Sequence, residues 1–192
     1  MRARNASALA ALAVLLLAAG PSLAKEKGEK EKREVIQANV INLNSGPRTG
    51  MLTIYLDNYT SDDDAKRYLE AFNEGGQDAL VALWQKERPV AGRIRFATTL
   101  GYDLRLVRSI QNEKGRLLRL VTDRPIQAYE LRTGARSEDY PIGWIEIQLD
   151  AEGKGEGQLI AAAELTMKDG NFVVKSFGAQ PVRITNAKLK LE

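Results

Sequence analysis

Between Tyr102 and Thr122 the chain reads YDLRLVRSIQNEKGRLLRLVT, two alternating runs separated by the turn-forming residues Asn112–Gly115. A period of two puts every second side chain on one face of an extended strand, and so short a link can only join antiparallel neighbours. The same punctuation returns at Asp150–Gly155 and Lys168–Gly170. From Gly92 onward the chain is therefore committed to an antiparallel sheet. Strands are expected near Arg93–Thr98, Tyr102–Asn112, Arg116–Thr122, Ile126–Arg132, Gly143–Leu149, Gly157–Met167, Phe172–Phe177 and Pro181–Leu191. Two more, Val35–Leu43 and Met51–Tyr59, flank the turn cluster NSGPRTG.

The period changes once. TSDDDAKRYLEAFNEGG opens on a Thr/Ser cap with three acids in its first turn and stops at Gly75-Gly76. Gln77–Glu87, QDALVALWQKE, follows with Leu80, Leu83 and Trp84 at helical spacing, and Pro89 ends it. The expected fold is thus α+β, a mainly antiparallel β barrel or sandwich with a helical pair inserted after the second strand.

The first residues, MRARNASALAALAVLLLAAGPSLA, carry a basic start, an apolar run and the small–x–small pattern Ser22-Leu23-Ala24. This is the signature of a secretory signal peptide, and the run is shorter than the ~20 residues that span a bilayer. A retained anchor is the alternative. No cysteine follows for lipid attachment. The mixed-charge stretch KEKGEKEKRE has nothing to bury and reads as a disordered leader. The expected organisation is a signal peptide over 1–24, a leader over 25–34 and one β-rich domain over 35–192. Export to the periplasm or the extracellular space follows, with no membrane span after cleavage.

The net charge of +3 belongs to the removed and leader segments. From Val35 onward basic and acidic side chains balance, which takes away the main support for nucleic-acid binding. The chain has no cysteine and no histidine. That excludes a disulfide framework, Ser-His-Asp and Cys-His nucleophiles, and His- or Cys-based zinc or haem sites. No cofactor is expected.

DAEGKGEG, Asp150–Gly157, resembles a cation loop only in part. Lys154 stands at the fifth position and Ala161 at the twelfth, where oxygen ligands are needed, so a hairpin turn is the expected reading. Asp62-Asp63-Asp64 sits in the first turn of a helix, where carboxylates offset the helix dipole and diverge rather than converge on one cation. No metal site is expected from either.

Arg93, Arg95, Arg105, Arg108, Arg116 and Arg119 crowd one segment that has few acids. If their strands pair, guanidiniums gather on one face suited to carboxylates or phosphates. The alternative is a solvated face whose arginines pair with acids elsewhere. Tyr129, Tyr140 and Trp144 flank the polar loop RTGARSEDYPIG, either as the rim of a binding loop or as core and anchor. Glu130, Glu138, Asp139 and Glu146 are the carboxylates that a hydrolase reading would use.

VTDRPI, DYPIGWIEIQLDAEGKGEGQLIAAAEL, FGAQPVRITNAKLK and LTIYLDNYTSDDDAKRYLEAFNEGGQDAL resemble a family of uncharacterised exported bacterial proteins of the acidobacterial type. That family has no assigned activity, so the resemblance implies export and carries no site residue over. The functional expectation is a secreted or periplasmic non-catalytic binding or envelope-interaction module. Its partner would be an anionic envelope component or another exported protein. A small carboxylate-dependent hydrolase is the alternative.

Overall fold

The structure, a computed structural model, describes residues 33–43, 47–97, 100–126, 140–178 and 180–192. Ten strands and one helix follow in chain order: β1 Glu34–Asn42, β2 Arg48–Leu56, α1 Asp62–Glu87, β3 Gly92–Phe96, β4 Tyr102–Leu104, β5 Leu106–Asn112, β6 Gly115–Thr122, β7 Ile142–Leu149, β8 Lys154–Lys168, β9 Asn171–Phe177 and β10 Val182–Leu191. All pairings are antiparallel, in the order β4-β3-β2-β1-β10-β8-β7-β6-β5, with β9 paired to β8.

The two ends of that order, β4 and β5, are separated in the chain by Arg105 alone. The expected single strand Tyr102–Asn112 is broken there because it changes partner, from β3 to β6. The Arg105 amide donates to the Val121 carbonyl at 2.8 Å and keeps the junction in the sheet. Beyond it, Thr60 takes over as neighbour of β5: its amide donates to Val107, and the Val107 amide donates to its hydroxyl, both at 2.9 Å. Between barrel and sandwich, the result is a nearly closed barrel.

Alternation fills the interior. Leu118 and Leu120 of β6, Ile145 and Ile147 of β7, and Ile36 and Ile54 across β1 and β2 are buried there. Their neighbours Val121 and Trp144 face outward, yet are buried as well, because α1 and the far halves of β8 and β9 cover that side. Burial on both faces explains why GWIEIQL and LIAAAEL are so nearly continuously apolar. Glycine serves close approach in β8: a Cβ at Gly155 would collide with the Gln148 carbonyl, and one at Gly157 with that of Glu146. Asp150 Oδ1 accepts from the amides of Glu152 and Lys154 at 3.0 and 2.8 Å, so the carboxylate builds the β7–β8 turn.

The expected helical pair is a correction. One helix, α1, spans Asp62–Glu87, with non-helical dihedrals only at Gly75 and Gly76. Two adjacent glycines predict a stop, but helical geometry resumes at Gln77 with no loop residue between. The bend is nonetheless sharp. Tyr68 of the first arm meets Trp84 of the second edge to face, with centroids 5.6 Å apart. Sixteen residues of straight helix would separate them by about 24 Å.

Some boundaries also move. β2 starts at Arg48 and ends at Leu56, because the Asp57 and Asn58 amides turn away to the Ala91 carbonyl. Arg33 and Glu34, which their composition assigns to the leader, join the barrel edge: Arg33 exchanges backbone hydrogen bonds with Glu192, and Glu34 opens β1. Of the strand expected at Ile126–Arg132, only Ile126 is among the described residues. It is buried outside any strand, its amide donating to Ala161.

Candidate functional site: a groove beneath the first arm of the helix

The first arm of α1 crosses the outer face of β5, β6 and β7 without sealing it. A groove of about 310 Å³ remains, closed at one end by the β8–β9 turn. Its volume falls at the small end of ligand pockets. The floor is apolar: Leu106 and Ile110 from β5, Trp144 from β7, Phe172 from β9 and Leu69 from α1. Lys66, Arg108, Arg119, Asp62 and Asn171 supply the polar rim.

Local sequence explains the helix side. Ser61 caps α1, its hydroxyl oxygen accepting from the Asp64 amide at 3.0 Å. Asp62, Lys66 and Leu69 then recur at four and three residues, one stripe of a helix turned to the groove. The acidic triplet diverges. Asp64 holds Arg67 at 3.1 Å, Asp63 leans toward Lys66 at 4.0 Å, and Asp62 reaches Arg108 at 2.8 Å.

The sheet side follows from register. Arg108 on β5 and Arg119 on β6 are directly opposed cross-strand partners. Two like charges so placed repel. Each is therefore matched by a carboxylate. Arg119 Nε donates to Glu146 at 2.8 Å, again a direct cross-strand pair, and its guanidinium lies 6.0 Å from the Trp144 ring. Arg108 donates to the Thr60 carbonyl at 2.9 Å as well as to Asp62.

The six arginines singled out by sequence do not share one face. Arg108 and Arg119 line the groove together. Arg116, three residues from Arg119, points the opposite way, as period two demands. At the end of the barrel it makes a two-pronged pair with Glu34, at 3.0 and 2.6 Å, and it also bonds Ser109 and the Tyr59 hydroxyl. Tyr59 in turn donates to Glu34. Arg105 fills the strand junction, bound to Asp123 at 2.9 Å and donating to the Pro89 carbonyl at 2.7 Å. Arg93 pairs with its cross-strand partner Asp103 at 3.1 Å, and Arg95 is exposed on the same face of β3. Sequence reasoning did not place Lys66, Leu69 or Phe172 with the arginines. The helical stripe was visible, but nothing in it announces which strands it will cross.

Trp144 is 2% exposed and belongs to the outer core cluster as well as the groove floor. Tyr129, Glu130, Glu138 and Asp139 lie outside the described residues. Glu146 is held by Arg119 and reached by the Gln158 amide at 3.4 Å. A second, more polar cleft of about 580 Å³ opens at the helix kink, between Phe72, Gln77, Asp78, Tyr140 and Glu164. There Lys175 and Ser176 both donate to Glu164, at 2.7 and 2.6 Å, and hold its carboxyl below the usual carboxylate range. Among the described residues no group of three or more acidic side chains could hold a metal ion, and no helix is long and apolar enough to cross a membrane.

Comparison with family models, with curated proteins and with solved structures gives no match.

Proposed function

We propose that this protein is an exported, non-catalytic binding module that takes a small amphipathic anion into the groove under the first arm of α1. One observation carries the reading: Lys66, Arg108 and Arg119 stand around a floor built from Leu106, Ile110, Trp144 and Phe172. An apolar surface recessed beside three cations, of which Arg108 is countered at the groove only by the exposed Asp62 among the described residues, suits a ligand with an apolar body and one negative end. The hydrolase alternative draws no support from the groove, where Asp62, the one carboxylate among the described lining residues, is engaged by Arg108, and Glu146 beside it is engaged by Arg119.

Export rests on the amino-terminal pattern and on the family resemblance. Cleavage after Ala24 makes Lys25 the first residue of the exported protein, and exported material that still began at Met1 would remove that part of the proposal.

The groove is tested by calorimetric titration of the protein with decanoate and, separately, with decanol. Saturable binding of decanoate, weakened between low salt and about 0.5 M salt by charge screening, is expected. Decanol should bind more weakly. Arg108→Gln should lower decanoate affinity about tenfold or more, the range for a hydrogen bond to a charged group. Absence of saturable decanoate binding, or equal affinity for the alcohol, would refute the reading.

A further inference from the structure

We infer that Asp62 is an internal stand-in for the ligand: its carboxylate occupies the anion position on Arg108, and an incoming carboxylate displaces it. This rests on the groove reading above and adds a built-in competitor that sets the affinity of the site.

The two arginines of the groove are held in different ways. The Arg119–Glu146 pair is fixed by the β6–β7 register, with both side chains about three-quarters buried and Gln158 bracing the carboxylate. Asp62 is 81% exposed, although its Oδ1 lies 2.8 Å from Arg108. Exposed pairs of this kind are weak and exchange readily with solvent and solutes.

Departure of Asp62 would not release Arg108. The Thr60 carbonyl accepts from the other terminal nitrogen of the guanidinium at 2.9 Å, and Thr60 is itself fixed to Val107 through two hydrogen bonds. The guanidinium is thus aimed at the groove whether or not Asp62 is in place. Nor does the helix need Asp62 for its cap, because Ser61 and Asp64 make that motif with each other. Of the three acids at the start of α1, Asp62 alone lines the groove and pairs with the sheet.

Register adds a reason for an anion there at all times. Arg108 and Arg119 face each other directly, so vacating one carboxylate leaves unbalanced repulsion. Asp62 relieves it in the free protein, and a ligand carboxylate would relieve it in the complex. Because the position already accommodates a carboxylate, the ligand class is a monocarboxylate whose apolar tail runs over Trp144 and Phe172.

The test compares wild type, Asp62→Asn, Arg108→Gln and the double variant by calorimetry, with decanoate and decanol as probes and melting temperature as the folding control. Asp62→Asn should tighten decanoate binding about threefold to tenfold, as an exposed competing pair is lost together with its repulsion of the ligand. The gain should vanish in the Arg108→Gln background, and decanol affinity should stay unchanged. Wild-type binding of decanoate with no gain in Asp62→Asn overturns the inference and leaves the groove reading standing. A gain that persists without Arg108, or that appears for decanol too, also overturns it, since Asp62 would then only obstruct. If neither wild type nor Asp62→Asn binds decanoate, the groove reading falls with it.

Discussion

Arg67 and Glu87, twenty residues apart on the same helix, form an ion pair of 2.8 Å. A straight helix would hold them about 30 Å apart, so the bend at Gly75–Gly76 folds α1 back along itself. The fold-back brings Tyr68 against Trp84, and the resulting pair of arms covers the outward-facing apolar residues of β6–β8. The groove exists because the first arm stands over β5–β7 while the second arm carries most of the burial.

The kink depends on one backbone conformation. Gly76 has φ 69° and ψ −158°, a region that residues with a Cβ scarcely enter. Gly76→Ala should cost about 1–3 kcal/mol in urea unfolding, through strain alone, since a Cβ there meets nothing within contact distance. An unchanged midpoint would mean that the chain does not need this conformation at the bend.

Trp84 is the anchor of the second arm, fully buried and in the same cluster as Leu80 and Trp144. Trp84→Ala should cost about 3–5 kcal/mol. Its indole N–H has no hydrogen-bond partner among the described residues, so Trp84→Phe sacrifices volume but no hydrogen bond. The phenylalanine variant should retain most of the stability that alanine loses. Equal losses in the two variants would contradict this account, in which a buried aromatic ring without its N–H keeps most of the anchor.

The Glu164–Lys175 pair gives a pH dependence of known sign. Hydrogen bonds from Lys175 and then Ser176 lower the Glu164 pKa, so its contribution is present above the unfolded carboxylate value near 4.5 and fades as pH falls through the lower folded value. Lys175 is raised by Glu164, so its contribution is present below 10.5 and fades as pH rises through the higher folded value. Lys175 is exposed and Glu164 half-buried, so solvent screens the pair and the effect is small. Glu164→Gln should flatten the acid limb of a melting-temperature profile relative to wild type. Parallel acid limbs would remove the pair from the pH response.

Much of the barrel was legible because its rules are local. Alternation in RIRF and LRLV set the strand faces, and Asp150 with Gly153 set a turn whose hydrogen bonds come from the adjacent chain. Closure was not legible, since the strand exchange at Arg105, from pairing with β3 to pairing with β6, falls inside one continuous alternating run that carries no local mark of a break. The helix break was half legible: two glycines signal a departure from helical geometry, but only packing between Tyr68 and Trp84 decides how far the chain turns. Of the candidate site, period two already separates Arg116 from Arg119. What joins Arg108 and Arg119 to Lys66 is the docking of a helix on a sheet, a long-range contact with no local mark.

The central claim, that the groove beside Arg108 is the binding site, is tested most directly by the two tryptophans. The chain has 2, one on the groove floor and one in the helix core. Their indole N–H resonances can be followed by ¹⁵N–¹H NMR during a decanoate titration, with Trp84→Phe providing the assignment. Binding in the groove predicts that the Trp144 resonance shifts and saturates while that of Trp84 moves far less. A saturable shift of Trp84 with Trp144 unmoved, or no saturable shift of either, would contradict the claim.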